Sequence, residues 1–193
     1  MWRGSGDQWQ ARYPEPKLGI KTPAPMTMNR RLALQWLLPP ILFGLSGGSL
    51  AQGHMGPFRL EGINGSIGWN PGAVDKAWLY LDFWASWCGP CRLSFPWMNR
   101  LHDQWSAKGL RIVAVTVDRK REDALGFLKA NPAKFEIAFD PQAALARTLD
   151  VKTMPTSLLV APDGRIVHRH EGFTASLGDK AARSVQEALG GAV

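Results

Sequence analysis

The chain has 193 residues, a formal net charge of +7 and only two cysteines. Its length suits one globular domain with an additional segment, and its 45% hydrophobic residues exclude a wholly disordered chain. Two cysteines exclude both a disulfide-rich scaffold and an all-cysteine zinc site. The positive charge would suit nucleic acid, but residues 1–51 carry +4 of it and the remainder only +3. No basic patch interleaved with aromatic residues is left, so no nucleic-acid partner is expected.

Residues 28–51 have the three parts of a secretory signal peptide. Arg30 and Arg31 begin it, residues 32–45 form an apolar run, and Ser49-Leu50-Ala51 provides a small-x-small ending. The apolar run is shorter than the roughly 20 residues that a membrane-spanning helix needs. We therefore predict cleavage and a soluble periplasmic or otherwise exported product. The alternative is a protein that residues 32–45 anchor in the membrane.

Residues 1–27 do not fit a signal peptide. They are rich in Pro, Gly and Trp and have no apolar periodicity, whereas a signal normally begins close to the true N-terminus. Met26 and Met28 are both plausible starts. We expect residues 1–27 to be mostly absent from the natural product, and residues 52–193 to form a single domain.

The two cysteines lie between a predicted strand and a predicted helix. Residues 78–84 are apolar and aromatic, with one interruption at Asp82, which predicts a buried strand. After Cys91, apolar residues recur at three- and four-residue steps as on a helix, and Pro96 is expected to kink that helix. Unpaired backbone N–H groups and the helix dipole at this point favour a thiolate at Cys88.

The spacing of Cys88 and Cys91 allows a disulfide, because residues three apart on a helical turn are neighbours. Cys88 is expected to be the exposed attacking thiol and Cys91 the shielded thiol that resolves the mixed disulfide. A purely structural disulfide would stabilise little, since the loop is so short. A zinc site would need two more ligands, and the four histidines lack the spacing to supply them: His54, His102, His168 and His170. Neither a metal nor a cofactor is expected.

These residues resemble a known active site. The stretch Asp82-Phe83-Trp84-Ala85-Ser86-Trp87-Cys88-Gly89-Pro90-Cys91 is similar to the active-site segment of the thioredoxin superfamily. Pro96 matches the helix-kinking proline of the superfamily, and Thr153-Met154-Pro155-Thr156 resembles the segment that bears its cis-proline. The export signal, the Phe-Trp-Ala-Ser-Trp-Cys sequence and the lead-in Phe58-Arg59-Leu60 further resemble the TlpA/ResA-like branch of exported thiol–disulfide oxidoreductases. The resemblance spans roughly residues 56–189.

The resemblance implies a thioredoxin-like α/β fold, with a central mixed β-sheet flanked by helices. The remaining pattern agrees with it, because strands alternate with helices and a hairpin follows. The predicted elements are a central strand over 111–117, helices over 121–130 and 141–149, a hairpin that turns at Asp163-Gly164 between 156–161 and 165–169, and a closing helix over 176–189.

The resemblance also assigns roles to individual residues. It gives Cys88 as the nucleophile and Cys91 as the resolving cysteine. Asp82 stands where thioredoxins keep a buried acid that accepts a proton from the resolving cysteine, and burial would raise its pKa. The alternative is an aspartate that ends a strand in solvent. Many TlpA-like proteins have a non-acidic residue here, so Asp82 is a departure towards ordinary thioredoxin.

Four further residues are expected to bind the substrate. Pro155, if its peptide bond is cis, would expose the backbone of Met154 for strand-like pairing with a substrate chain. Trp87, Pro90 and Met154 would then form an apolar platform around Cys88.

The predicted function is thiol–disulfide oxidoreduction, most simply by a periplasmic reductase of protein disulfides. Because the periplasm is oxidising, such a reductase needs a membrane electron donor of the thiol-relay type. Cytochrome c maturation and repair of copper-site thiols are both uses known in the branch. The alternatives are a dithiol oxidase, or a non-enzymatic thioredoxin-fold binding or chaperone module. A monomer is expected, since residues 52–75 are too few to make the dimerisation module of an isomerase.

Overall fold

The computed structural model of this protein describes residues 53–73 and 77–190. The predicted leader, signal peptide and alternative anchor, residues 1–27, 28–51 and 32–45, lie outside the described residues. Within the described ranges, none of the helices combines the length and the apolar character that a membrane crossing requires.

The described residues form seven β-strands and four α-helices. The strands are β1 (Phe58–Gly62), β2 (Gly65–Trp69), β3 (Trp78–Trp84), β4 (Leu110–Thr116), β5 (Glu136–Phe139), β6 (Thr156–Val160) and β7 (Ile166–Glu171). The helices are α1 (Cys91–Trp105), α2 (Arg121–Ala130), α3 (Ala144–Thr148) and α4 (Ala175–Gly190), and a 3₁₀ turn (Ser106–Lys108) follows α1.

One mixed sheet contains all seven strands, in the order β2-β1-β5-β4-β3-β6-β7. The pairs β3–β4 and β4–β5 are parallel, whereas β3–β6, β6–β7, β1–β2 and β1–β5 are antiparallel. Strands β3, β4 and β6 are buried along almost their whole length, so both of their faces are covered. The predicted thioredoxin-like α/β fold is therefore confirmed.

Aromatic packing fixes α1 and α2 on the sheet. Trp84 at the end of β3 contacts Phe95 of α1 and Phe127 of α2, with ring centroids 4.9 and 4.7 Å away. Phe95 and Phe127 also contact each other edge to face at 5.0 Å. Such pairs add to the burial of apolar area, so this cluster holds the helix that follows the cysteines firmly against the strand that precedes them.

The structure corrects the predicted helix over 141–149, which is only the short α3. The Asp140 side chain accepts hydrogen bonds from the backbone N–H groups of Ala144 and Ala146, at 2.8 and 3.1 Å. Ala143 has a φ of 52°, in the left-handed region, so helical geometry cannot begin before Ala144. The predicted strand over 111–117 and closing helix over 176–189 are present with ends shifted by one residue.

The hairpin between β6 and β7 turns where it was predicted. Gly164 has a φ of 99°, and the backbone N–H of Arg165 donates to the Asp163 carboxylate at 3.0 Å. The first described residues lie alongside this hairpin. The N–H of Ile166 donates to the carbonyl of Gly53, and the N–H of Met55 donates to the carbonyl of Gly164.

Candidate active site

Asp82 lies in the middle of β3, among buried residues. Its cross-strand neighbours are Ala114 on β4 and Ser157 on β6. The residue is 1% exposed, which excludes the alternative of a strand-ending aspartate in solvent. The Ser157 hydroxyl donates a hydrogen bond to Oδ1 at 2.6 Å, and within the described residues Oδ2 has no hydrogen-bond partner.

This environment changes the acidity of Asp82. Burial raises the pKa of the carboxyl group to about 7, and the hydrogen bond from Ser157 opposes that rise. Tyr80, two residues earlier on the same strand face, has its own pKa raised by burial and by the neighbouring Asp82. Tyr80 therefore stays a neutral phenol, while Asp82 gains and loses a proton near neutral pH.

The loop after β3 is fixed by Asp118, which follows the neighbouring parallel strand β4. The Asp118 carboxylate accepts hydrogen bonds from the backbone N–H and the hydroxyl of Ser86, both at 2.9 Å. It also accepts one from the hydroxyl of Thr116 at 2.8 Å. Three donors on one buried carboxylate hold the loop in place immediately before Cys88.

Cys88 and Cys91 form a disulfide at the start of α1, with their Cα atoms 5.4 Å apart. The backbone N–H of Cys91, the first residue of the helix, donates to Sγ of Cys88 at 3.2 Å. The backbone N–H of Cys88 donates to the carbonyl of Ala85 at 3.0 Å. A helix N-terminus and a backbone N–H directed at sulfur both stabilise negative charge there, so the site favours a thiolate at Cys88.

The expectation of an exposed Cys88 is wrong for this oxidised form. Cys88 is 3% exposed and Cys91 is fully buried. The disulfide links Cys88 to the first residue of α1, and both cysteines pack within the hydrophobic core. Cys88 is nevertheless the more accessible of the two sulfur-bearing residues.

Apolar side chains surround the disulfide at the surface. Trp87 is 40% exposed, and Leu93, in the first turn of α1, is 65% exposed. Pro90 between the cysteines is also exposed. Trp87 and Leu93 are two of the three large apolar side chains that are exposed within the described residues, and both lie within two positions of a disulfide cysteine.

The Met154–Pro155 peptide bond is cis. Because Thr156 pairs with Phe83 at the end of β3, these two residues lie beside the loop that leads to Cys88. Pro155 is buried, its carbonyl accepts a hydrogen bond from Gly172, and Met154 is 9% exposed. Within residues 53–73 and 77–190, the backbone of Met154 makes no hydrogen bond.

The seven predicted site residues lie in β3, in the loop and the first helical residue that follow it, and directly before β6, which pairs with β3. They are Asp82, Trp87, Cys88, Pro90, Cys91, Met154 and Pro155. Sequence reasoning missed Ser157, Asp118 and the exposed Leu93. Ser157 had one visible indication, as a polar residue in a short strand whose last three residues are apolar. In the described part of the chain, no group of three or more metal-ligating side chains occurs.

The family model named Redoxin matches residues 71–184, which is more than half of the chain. The chain belongs to the Redoxin family. Together with its relatives, this match identifies a TlpA/ResA-like member of the thioredoxin superfamily.

Several relatives of this Redoxin family member carry names from thiol chemistry. Thiol-disulfide oxidoreductase ResA of Bacillus subtilis is 31% identical over 120 residues, which cover 62% of this chain and 66% of the relative. ResA of Bacillus thuringiensis is 33% identical over 94 residues, or 49% of this chain and 54% of the relative. The chain spans about half the length of several curated ResA relatives that it matches.

Among solved structures, a thiol:disulfide interchange protein DsbE from Chlorobium tepidum is similar. Its sequence is 41% identical, the TM-score is 0.66, and the match covers 70% of this chain and 95% of that one. The shared architecture agrees with the mixed sheet and flanking helices described above.

Proposed function

We propose that this chain is a thiol–disulfide oxidoreductase that reduces protein disulfides through Cys88 and Cys91. The observation that carries the proposal is the disulfide at the first turn of α1, where the N–H of Cys91 donates to Sγ of Cys88. The names of the ResA and DsbE relatives support the same chemistry.

The reaction starts from the dithiol form. The Cys88 thiolate attacks one sulfur of the substrate disulfide, forms a mixed disulfide and releases the other substrate sulfur as a thiolate. The backbone N–H of Cys91 and the helix N-terminus stabilise the negative charge of the attacking sulfur, which makes Cys88 the nucleophile of the pair.

The second step needs a base. Asp82, ionised in part near neutral pH, accepts the proton of the Cys91 thiol. The Cys91 thiolate then attacks Sγ of Cys88, which re-forms the Cys88–Cys91 disulfide and releases the second substrate thiolate. The protein dithiol has become a disulfide and the substrate disulfide a dithiol, a balanced two-electron exchange.

The substrate binds on the apolar surface around Cys88. Trp87 and Pro90 offer exposed apolar area, and the backbone of Met154 is available for strand-like pairing with an extended chain. Met154 and Pro155 lie beside the loop that leads to Cys88, so a paired substrate chain would bring its disulfide close to the nucleophile.

The direction and setting of the reaction belong to this proposal. We place the protein in the periplasm or another exported location, where it reduces substrates with electrons from a membrane thiol relay. Cytochrome c maturation is one use that fits such a reductase. The same dithiol run in reverse would be an oxidase, and the redox potential of the Cys88–Cys91 pair separates the two.

Cysteine variants test the chemistry directly. Cys88→Ser should abolish reduction of a disulfide-bonded protein such as insulin, because the attacking sulfur is lost. Cys91→Ser should retain the first attack and accumulate a mixed disulfide with the substrate, visible by non-reducing electrophoresis and mass spectrometry. Ser184→Ala, a buried position on α4, is the matched control and should reduce insulin at the unaltered rate.

Retained insulin reduction in Cys88→Ser would contradict the proposal. So would full turnover in Cys91→Ser without any trapped complex. Unaltered biological function in a Cys88→Ala strain would instead favour the non-enzymatic binding module.

A further inference from the structure

Three polar residues form a row across the sheet. Asp82 pairs with Ser157 between β3 and β6, and Ser157 pairs with His170 between β6 and β7. Directly opposed residues of neighbouring strands project from the same face of a sheet. All three are buried, at 1%, 7% and 7% exposed, so each polar atom in the row depends on its neighbours rather than on bulk water.

In this row, Ser157 is the residue that donates a hydrogen bond to the carboxylate of Asp82. Its hydroxyl donates to Oδ1 of Asp82 at 2.6 Å, a short distance typical of an O–H group and a carboxylate. The other oxygen, Oδ2, is buried and has no partner within the described residues. The two carboxylate oxygens therefore differ: one is occupied and the other is free to accept a proton.

We propose that Ser157 is a positioning residue for proton transfer, whose hydroxyl holds Oδ1 of Asp82 and so leaves Oδ2 to accept the Cys91 proton. The inference rests on the proposed function, in which Asp82 deprotonates Cys91. It adds the residue that selects the accepting oxygen and keeps the carboxylate available as a base at neutral pH.

The surroundings leave this task to Ser157. From its own strand Asp82 is faced by Tyr80, a neutral phenol that is hydrogen-bonded with Ser157 and leaves Oδ2 of Asp82 without a partner among the described residues. From β4 it is faced by Ala114, which has no polar side chain. Beyond Ser157 lies His170, whose pKa is lowered by burial, by the neighbouring His168 on β7 and by the positive charge of Lys180 on α4.

His170 is thus neutral at pH 7, and its buried Nε2 has no partner among the described residues. Burial dominates the acidity of Asp82, and the one interaction that opposes it is the hydrogen bond from Ser157. A donor to the ionised form favours that form, so the hydroxyl preserves a population of carboxylate that burial alone would suppress.

The test is the pH dependence of insulin reduction in Ser157→Ala and in the unaltered chain. A hydrogen bond to a charged group changes an equilibrium by roughly tenfold. In Ser157→Ala, the pH at which the rate of insulin reduction rises should therefore be higher by about one pH unit, and the rate at pH 7 should fall several-fold. At high pH, where Asp82 is ionised in both proteins, the two rates should converge.

Further variants separate the hydroxyl from side-chain volume. Ser157→Thr keeps the hydroxyl and should retain the unaltered pH dependence of insulin reduction. Ser157→Val, whose side chain has nearly the volume of threonine but no hydroxyl, should behave like Ser157→Ala. If Ser157→Ala does not fold, the comparison of Ser157→Thr with Ser157→Val still measures the effect of removing the hydroxyl. In the Asp82→Asn background, Ser157→Ala should change the rate no further, because the two residues act as one unit.

A carboxyl carbon NMR titration of Asp82 in the oxidised protein provides a readout without turnover. Ser157→Ala should raise the titration midpoint of Asp82, and the Ser184→Ala control should leave it unchanged. If the active protein keeps both its rate profile and its Asp82 titration after Ser157→Ala, this inference alone is overturned. If the unaltered chain reduces no disulfide at any pH, the proposed function fails, and this inference with it.

Discussion

Asp82 makes the stability of the fold depend on pH. An unfolded aspartate has a pKa of 3.8, and burial raises that of Asp82 to about 7. Between these values the folded protein keeps a proton that the unfolded chain has released. Stability contributed by this residue is therefore present below about pH 4 and is lost as the pH rises towards 7. A difference of roughly three pH units corresponds to a loss on the order of 4 kcal/mol.

Asp82→Asn should remove this dependence. The amide cannot ionise, keeps nearly the same shape, and can still accept the hydrogen bond from Ser157. We expect the free energy of unfolding of the variant to exceed that of the unaltered protein by a few kcal/mol at pH 8 and to be similar at pH 4. Urea titrations of the oxidised protein at both pH values measure the difference.

The same variant should reduce insulin more slowly at neutral pH, because it has no base for the Cys91 thiol. Equal pH slopes of stability in the two proteins would show that Asp82 is not a buried titrating group.

At the level of elements, the ends of β3 and β4 act together. These strands are parallel, so their carboxyl ends meet at the same edge of the sheet, and Asp118 after one holds Ser86 after the other. Helix α1 starts five residues after Ser86, and its position is fixed on the other side by Phe95 against Trp84. The short loop between β3 and α1 is thus held at both of its ends.

Asp118→Ala should loosen this loop. It leaves the hydroxyl of Thr116 and two donors of Ser86 without their acceptor, at an expected cost of about 2–4 kcal/mol. Ser86→Ala is the graded control, since it loses one of the three hydrogen bonds and should cost about 1 kcal/mol. Urea unfolding measures both losses, and amide hydrogen exchange at Ser86 should accelerate in Asp118→Ala. Exchange at the unaltered rate would show that Asp118 does not hold Ser86 in place.

For the molecule as a whole, the central elements were predictable because their patterns are local. Strand β3 is a continuous apolar run broken at one residue, and α1 shows helical spacing directly after the cysteines. Strand β5 has only four residues and β1 and β2 have five each, which is too short to show a period. In addition, β1 ends in a glycine and β2 contains two. These three strands were missing from the prediction.

Contacts that depend on the register of paired strands could not be predicted from the sequence. Ser157 and Asp82 are 75 positions apart, and only the pairing of β3 with β6 sets them opposite each other. A one-residue slip would turn Ser157 to the other face of the sheet. The cysteine pair could be recognised because it lies within one helical turn, whereas the group that supports its base lies on another strand.

The redox potential is a property of the whole molecule, since it measures how much the fold favours the disulfide over the dithiol. Strong oxidants and thioredoxin differ by about 150 mV, or roughly 7 kcal/mol in relative disulfide stability. As a reductase the protein should equilibrate near the thioredoxin value of about −270 mV rather than the value of about −120 mV found for strong oxidants. Equilibration against dithiothreitol and glutathione measures it. A value close to the strong oxidants would reverse the proposed direction.

The pairing of Gly53 and Met55 with the β6–β7 hairpin sets the end of the sheet at which the described part of the chain begins. Strand β6 starts opposite Phe83, near the cysteines, and ends opposite Leu79, so the hairpin that follows lies at the opposite pole of the sheet. Gly53, where the described part of the chain begins, therefore lies at the end of the sheet remote from the disulfide, and residues 53–55 leave the opposite end, with Trp87 and Pro90, uncovered.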